Sequence, residues 1–458
     1  MKQKLLLLFT LLAISANVYS QRIMRTYRNG NIVKSMFVSD VDSVKFGIVR
    51  DTIIASGTTG DCIWTLTEIV GIVGNYTLTI SGNGAMADYG WSSDFTPWSA
   101  YISNIKTVII QNGVTHIGTG AFYNHYNLTN VTISGSVITI GDQAFIYCLS
   151  LTDVTIPASV ITIGNHAFLS CYNLVNIVIP NSVITIGNQA FAYCYNLTSI
   201  NVDDANSFYS STDGILFNKD QTTLIQYPAG KTDRSYVIPN SVTTIGTSAF
   251  GACDSLNDIT IPNSVTTIYA LTFTNCIGLT NVTIPNSVTT IGWGAFSSCD
   301  LLNSVTIGSS VDSIGYETFK LCYNLTTVIN LNPTPQNIVS NVFSSVTLSN
   351  CTLKVPVNAV SAYQAASVWS DFGAIVDLNN PNSSSQPGSR SKRMAREPFT
   401  PHYMEDVMLG VDAMHNFNPQ TKRPVPPYHS DGEARQYIPP QHFNGEHEVI
   451  RKQINNNK

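Results

Sequence analysis

Phenylalanine recurs at a fixed interval along this chain, and the apolar and polar positions around it repeat with the same 23-residue period. The repeated segment reads approximately G-x-x-A-F-x-x-C-x-x-L-x-x-V-T-I-P-N-S-V-x-x-I. A strict period of this length is typical of a solenoid, in which small units stack on copies of themselves. The pattern therefore predicts a repeated surface instead of one pocket. The phenylalanines of the repeat are Phe122, Phe145, Phe168, Phe191, Phe250, Phe273, Phe296 and Phe319.

Each unit combines two short extended segments with a corner. In the first unit, Leu128, Val131 and Ile133 alternate as the inward side chains of a strand. In later units Pro-Asn-Ser turns the chain, and V-x-x-I forms a second extended piece. We expect the next glycine, such as Gly141 or Gly164, to permit a positive φ at the corner. Ala-Phe-x-x-Cys should close the unit as a short helical turn, so the sequence predicts a β-rich α/β solenoid.

The regular spacing is interrupted once, because Phe191 and Phe250 are separated by more than two periods. The inserted residues predict one or two β-hairpins, with turns at Asp213-Gly214 and 218–220. Two interpretations are open. The insertion is either a protruding binding element or a degenerate repeat that continues the solenoid.

Aromatic-rich segments flank the array and are expected to cover its open apolar ends. Trp91 and Trp98 precede the repeats, and Tyr363 and Trp369 follow them in a segment with helical propensity. The repeat, its flanking segments and the shifts in composition along the sequence divide the chain into six segments. They are a signal peptide (1–20), a hairpin leader (21–51), a strand-rich N-terminal cap (52–110), the solenoid (111–330, with the insertion at 203–239), a C-terminal cap (331–378) and a disordered tail (379–458).

The first 20 residues have the pattern of a secretory signal peptide. Lys2 and Lys4 precede the apolar run at 5–14, and small residues lead to Ser20. A membrane anchor is the alternative, but the run is shorter than the roughly 18 residues that a span needs. We therefore expect a secreted or cell-surface protein with no transmembrane span.

Charged residues make up only 12% of the chain, and the formal net charge is −5. This composition lacks the basic footprint of a nucleic-acid-binding protein, so no nucleic-acid partner is expected. The tail contains a basic cluster at 391–396 and a proline-rich segment at 424–427. Either could be a ligand for a partner, or the whole tail could simply be solvated.

Most of the cysteines occupy one position of the repeat, three residues after an aromatic residue. Equivalent positions of stacked units point the same way, whereas a disulfide needs two Cβ atoms that converge to about 3.8 Å. We expect a buried ladder of free thiols, with a zinc or redox site as the lesser alternative. The ladder consists of Cys148, Cys171, Cys194, Cys253, Cys276, Cys299 and Cys322.

No arrangement of residues typical of catalysis or of cofactor binding is present in the sequence. His116, His125 and His166 do not accompany a catalytic motif, and no phosphate-binding loop or H-E-x-x-H occurs. Asp213 and the pair at 203–204 could attract Ca²⁺, although a role in turns is favoured. The sequence thus predicts a protein that is not an enzyme and that holds no cofactor or metal.

The outward positions of the strands are the predicted binding surface, a flat and neutral face of threonine and asparagine. Such a face suits an extended ligand, either a protein segment or a glycan. The alternative is that the ladder only stabilises the sheet through cross-strand pairs. The candidate residues are Thr129, Asn130, Thr132, Thr152, Asp153, Thr155, Asn176, Asn257, Asp258, Thr260, Asn281 and Thr283.

The repeat closely resembles the BspA-type leucine-rich repeat of bacterial surface proteins, and 246–268 and 276–296 are good copies of it. The insertion resembles the spacer of such proteins, and 351–375 resembles their capping end. The resemblance implies a leucine-rich-repeat stack in an exported surface protein that mediates adhesion and protein binding. In host-associated bacteria it further implies extracellular-matrix partners and coaggregation.

The favoured function is thus adhesion through the solenoid face, with cell-surface or matrix proteins as partners. The second hypothesis is a glycan-binding accessory protein, or an enzyme whose chemistry lies in the insertion or the tail, and a structural surface-layer component is the third. The glycan hypothesis ranks lower because the outward strand positions contain almost no aromatic residues on which sugars could stack.

Overall fold

The computed structural model describes residues 22–28, 31–38, 52–68, 74–90, 96–379, 417–418 and 423–424. The predicted signal peptide, Trp91 and nearly all of the predicted tail lie outside these residues. Backbone contacts divide the chain into a unit at Met1–Gly388 and another at Ser389–Lys458.

Six N-terminal strands precede the array, and the first five pair with one another in antiparallel fashion. They are β1 (Arg22–Arg28), β2 (Asn31–Val38), β3 (Ile53–Thr59), β4 (Cys62–Glu68), β5 (Tyr76–Gly82) and β6 (Gly84–Ala85), followed by a 3₁₀ turn at Ser99–Tyr101. β1 pairs with β2, and β3, β4 and β5 form a meander. β5 then pairs in parallel with the first strand of the repeats, so the cap continues their sheet.

The repeats of the first half each contribute one strand to each of two faces, of which one is a continuous sheet and the other is interrupted after Val154. The strands in chain order are β7 (Ile105–Ile110), β8 (Val114–Ile117), β9 (Asn130–Ile133), β10 (Thr139–Ile140), β11 (Asp153–Val154), β12 (Thr162–Ile163), β13 (Asn176–Ile179), β14 (Thr185–Ile186) and β15 (Ser199–Val202). The strands pair in parallel, and each residue lies opposite the residue one 23-residue period later, as Ile140 lies opposite Ile163. Equivalent residues of successive coils therefore form ladders.

The insertion supplies three strands, β16 (Tyr209–Thr212), β17 (Ile215–Asn218) and β18 (Thr223–Gln226). β17 is antiparallel to both neighbours, with turns at the two predicted places. β18 pairs in parallel with the next repeat, and the Tyr227 ring stacks on Phe250 with centroids 5.1 Å apart. The insertion thus carries the solenoid onward through a modified coil.

The second half repeats the two-sheet arrangement and ends in a cap. Its strands are β19 (Ser235–Val237), β20 (Thr244–Ile245), β21 (Asp258–Thr260), β22 (Thr267–Ile268), β23 (Asn281–Thr283), β24 (Thr290–Ile291), β25 (Ser304–Ile307), β26 (Ser313–Ile314), β27 (Thr327–Asn330), β28 (Thr352–Val355) and β29 (Ala374–Asp377). Short 3₁₀ turns lie at Ser340–Phe343, Leu348–Asn350, Val357–Ala359 and Trp369–Asp371. The one α-helix of the described residues is α1 (Val360–Ala365), within the predicted helical segment. In the Ser389–Lys458 unit, only β30 (Phe417–Asn418) and β31 (Arg423–Pro424) are described.

The core of the solenoid is a column of stacked aromatic rings. Phe122, Phe145 and Phe168 are fully buried, and neighbouring rings lie 5.1 and 5.2 Å apart, nearly parallel. Trp98 covers the first ring of the column, with centroids 5.9 Å apart, and Trp369 packs against Phe343 at the other end. The predicted β-rich solenoid is confirmed.

The Ala-Phe-x-x-Cys segment is a run of turns, so the expected helical turn was wrong. The backbone amides of Ala144, Ile146 and Cys148 each donate to the carbonyl oxygen three residues earlier in the same coil. The amides of Phe145 and Tyr147 instead donate to carbonyl oxygens of the next coil. Every second amide is thereby used between coils. A helix would satisfy its amides internally and would leave the adjacent coil without these partners.

The corner glycines were also misinterpreted. Gly141 and Gly164 do not have positive φ, and that conformation occurs two residues later, at Gln143 and His166. Glycine is needed because the coils approach closely, since a Cβ on Gly164 would lie 2.5 Å from the backbone nitrogen of Asp142. The repeated glycine therefore sets the coil-to-coil distance.

Candidate functional site

The predicted binding residues lie on one side of the sheet formed by the first strand of each coil. In β13, Asn176 and Val178 are exposed while Ile177 and Ile179 are buried, as the alternation of a strand requires. We call this surface the Thr/Asn face and define it by the twelve candidate residues. All are exposed except Thr129 and Asn257, which are half-buried.

Hydrogen bonds separate these residues into two groups. At the start of the strands, Thr129 Oγ1 donates to Lys106 O at 3.0 Å, and Asn130 Nδ2 donates to Thr129 Oγ1 at 3.1 Å. Asn176 Oδ1 likewise accepts a bond from Ser199 Oγ at 2.7 Å. The bonds of Thr129 and Asn176 join neighbouring coils, which supports the stabilising interpretation at these two positions, whereas the Asn130 bond lies within one coil.

The second group consists of four threonines two residues further along, of which Thr155 lies just after β11. Thr132, Thr155, Thr260 and Thr283 are exposed, and their hydroxyls make no side-chain hydrogen bond among the described residues. Thr260 lies directly opposite Thr283 in the parallel register. Free hydroxyls at the strand spacing of about 4.8 Å can donate to or accept from an extended ligand.

Four of the candidates come together around a groove of about 510 Å³ in the second half. Its wall includes Asp258, Thr260, Asn281 and Thr283, with Leu331 as an apolar contact. This size lies within the range typical of ligand sites. The remaining candidates of the first half lie along β9, β11 and β13, before the insertion, and do not contribute to this groove.

The Thr/Asn face has little charge. Its only carboxylates among the twelve candidates are those of Asp153 and Asp258, and Arg234 Nη1 lies 3.4 Å from Asn257 Oδ1. Weak charge favours recognition by shape and hydrogen bonds over electrostatic steering.

An apolar ladder on the second sheet was missed by the sequence analysis. Ile138, Ile161 and Ile184 have exposed fractions of 44%, 41% and 45%, and their backbones are hydrogen-bonded in series. The equivalent positions of the second half include Thr243 and Thr266. The sequence contains this feature as V-I-T-I in the first half, where the second half has V-T-T-I. The sequence analysis considered outward positions only on the first sheet.

The predicted cysteine ladder is present, and all nine cysteines are free and buried. Cys171 Sγ donates to Phe145 O at 3.2 Å, and the same contact recurs at Cys276 and Cys299 with the phenylalanine of the preceding coil. Burial raises the pKa of the Cys171 and Cys299 thiols, and at Cys322 it raises the pKa to about 12. The protonated thiol is thus the form that the core retains.

Within the part of the chain that the structure describes, no group of three or more His, Cys, Asp or Glu residues could hold a metal ion. No helix among the described residues has the length and apolar character required to cross a bilayer.

Comparisons with known proteins agree with this architecture. A family model for the BspA type leucine rich repeat region matches residues 99–213 and 231–364, with six copies. A search of curated proteins finds no match.

Several solved structures resemble the chain. A leucine-rich repeat protein from Eubacterium ventriosum is 28% identical with a TM-score of 0.54, and the match covers 74% of this chain and 98% of that one. A leucine rich cell surface protein from Faecalibacterium prausnitzii is 26% identical with a TM-score of 0.37, covering 60% and 94%. The pneumococcal vaccine antigen PcpA is 17% identical with a TM-score of 0.47, covering 68% and 95%.

Proposed function

We propose that this chain, which belongs to the BspA-type leucine-rich repeat family, is an exported cell-surface protein that binds other proteins through its Thr/Asn face. The repeats place the same polar side chains on consecutive coils, so many weak contacts can add up along one ligand. Adhesion to a neighbouring cell or to matrix proteins is the role that this surface suits.

The groove beside Thr260 and Thr283 carries the proposal. It combines unbonded hydroxyls, the exposed carboxylate of Asp258 and the apolar side chain of Leu331. Protein interfaces have this mixture of apolar contact area and directed hydrogen bonds. An extended protein segment could contact two or more coils at once.

Export is supported by the N-terminal sequence. Lys2 and Lys4 precede an apolar run that is too short for a membrane span, and small residues follow it. Protease treatment of intact cells should remove the protein, and fractionation should place it outside the cytoplasm. Full protection in intact cells would contradict surface exposure.

The binding role is tested with the full chain and purified collagen, laminin and fibronectin. We expect at least one of them to bind, and we expect Thr260→Arg or Thr283→Arg to weaken that binding about tenfold or more, because a long cation would fill the groove. Biolayer interferometry measures the change in Kd.

Thr266→Arg is the matched control. Thr266 is exposed in the same coil as Thr260 but precedes β22 in the second sheet, so its substitution should leave the Kd unchanged. Equal loss of binding in both variants, or none in the groove variants, would remove the Thr/Asn face from the proposal.

A further inference from the structure

A second groove, of about 500 Å³, lies beside the Thr/Asn face where β23, β25 and β27 begin. We call it the edge groove. Its lining includes Thr280, Asn303 and Thr326, which come from three successive coils and each immediately precede a strand. Parallel pairing places such residues about 4.8 Å apart, which is close to the length of one sugar ring in an extended chain.

Part of this row is occupied by bonds between coils. Asn303 Nδ2 donates to Thr326 Oγ1 at 3.0 Å and to Asn324 O at 3.2 Å, which fixes the orientation of the Asn303 amide. Its Oδ1 accepts no bond among the described residues. Asn350, which is exposed, and the Thr347 hydroxyl also lack side-chain hydrogen bonds there. The groove therefore offers an oriented carbonyl, an amide and a hydroxyl.

An aromatic ring lies next to these polar groups. Tyr323 is 59% exposed and Leu301 is 51% exposed, and both line the groove. The negative face of an aromatic ring attracts the weakly positive C–H groups of a pyranose.

No residue that lines the edge groove carries a charge. An anionic ligand such as a phosphate or a uronic acid would find no cationic partner in it. A peptide could not extend the sheet, because β25 is hydrogen-bonded on both sides. Planar amides, hydroxyls and one ring are the groups that recognise neutral hydroxylated ligands.

From this combination we infer that the edge groove is a binding site for a neutral oligosaccharide. Sugar rings stack on Tyr323, and their hydroxyls bond to Asn303, Asn350 and Thr347. The site is separate from the protein-binding groove at Thr260, so either function can fail without the other.

The test uses the full chain and calorimetric titration with linear neutral hexaoses of the malto, cello, laminari, manno and chito series. At least one hexaose should bind with a Kd below about 1 mM. Tyr323→Ala should weaken that binding about tenfold, which is about 1.4 kcal/mol, because the stacking surface is lost. Asn350→Ala, at another exposed position of the groove, should also weaken hexaose binding.

Tyr126→Ala is the control for a lost aromatic ring. Tyr126 is 40% exposed and occupies the same position of its coil as Tyr323, but it does not line the edge groove. Its substitution, and Thr260→Arg, should leave the hexaose affinity unchanged. The inference is overturned if no hexaose binds, if only acidic glycans such as heparin bind, or if Tyr323→Ala and Asn350→Ala bind as the unaltered protein does.

Discussion

His125 shows how one residue that departs from the repeat acquires its own chemistry. It occupies the position of the ladder cysteines and is fully buried against Phe122, with ring centroids 5.6 Å apart. Its Nδ1 lies 3.0 Å from Tyr123 O, while Nε2 has no partner among the described residues. Burial lowers the pKa of His125 to about 4, because the charged ring would lose its hydration.

This depressed pKa makes stability depend on pH. Above pH 6.5 the ring is neutral in both states, and as the pH falls from about 6.5 toward 4 only the unfolded state takes up the proton. The fold should therefore lose stability on the order of 3 kcal/mol across that window. We expect His125→Cys to remove this loss, as measured by urea unfolding at pH 7.5 and 4.5.

The same variant provides its own control at pH 7.5, where protonation of His125 plays no part. The difference between variant and unaltered protein should grow as the pH falls. A constant difference at both pH values would contradict the assignment.

At the scale of the element, the coil corner explains the strictness of the repeat. Glycine recurs there because successive backbones lie against each other, and not because the backbone needs a positive φ. The alternating amides of Phe145 and Tyr147 then join each run of turns to the next coil. Adjacent coils are thus joined both by strand pairing and by hydrogen bonds between their turns.

Gly164→Ala tests this account of the corner. The added Cβ would lie 2.5 Å from the Asp142 backbone, so two coils must move apart, and overpacking of this kind costs about 1–3 kcal/mol. The thermal unfolding midpoint should fall.

Gly135→Ala is the matched substitution in a turn where an added Cβ meets nothing within 4 Å. It should leave the midpoint unchanged or raise it slightly, because alanine restricts the unfolded chain. Equal effects of the two substitutions would show that coil contact is not the reason for glycine.

At the scale of the Met1–Gly388 unit, the apolar interior consists of two cores that meet at the insertion. One extends from Cys62 to Leu216 and the other from Ile215 to Ile375. Alternation along β17 sends Leu216 into the first core, while Phe217 belongs to the second.

The junction between the cores is partly polar. His166 Nε2 lies 2.8 Å from Gln189 Oε1, and Gln189 Nε2 donates to Ser248 Oγ at 2.5 Å. These groups are buried, so their hydrogen bonds join coils that the insertion separates in sequence. Directed bonds of this kind fix the register between the two halves.

Two cores predict two responses to truncation. Leu216→Ala should accelerate amide exchange mainly before residue 200, and Phe217→Ala mainly after residue 224, since solenoid units depend on their neighbours. Each truncation of a buried side chain should cost about 2–5 kcal/mol. Hydrogen–deuterium exchange with mass spectrometry resolves the two regions.

The two adjacent residues are each other's control. If either variant accelerates exchange equally in both halves, the unit folds as one cooperative body. The boundary between the two cores at β17 would then not separate two units of different stability.

The sequence by itself determined the architecture, because a repeated pattern must bury equivalent residues in equivalent places. The phenylalanine column, the thiol ladder without disulfides and the outward strand positions all follow from the period. The hairpins of the insertion followed from local turn residues such as Asp213 and Gly214.

Only the tertiary structure decided how these residues are used. Whether the hydroxyl of a threonine on the Thr/Asn face forms a hydrogen bond depends on the neighbouring coil. The sequence alone could therefore not distinguish Thr129, whose hydroxyl is bonded, from Thr132, whose hydroxyl is not. The edge groove is lined by residues from successive coils. Glycine is required at the corners because the backbone of the preceding coil lies close, as the Asp142 backbone, 22 positions earlier, does to Gly164. Contacts between coils are long-range in sequence, and their distances are set by packing, which no local pattern encodes.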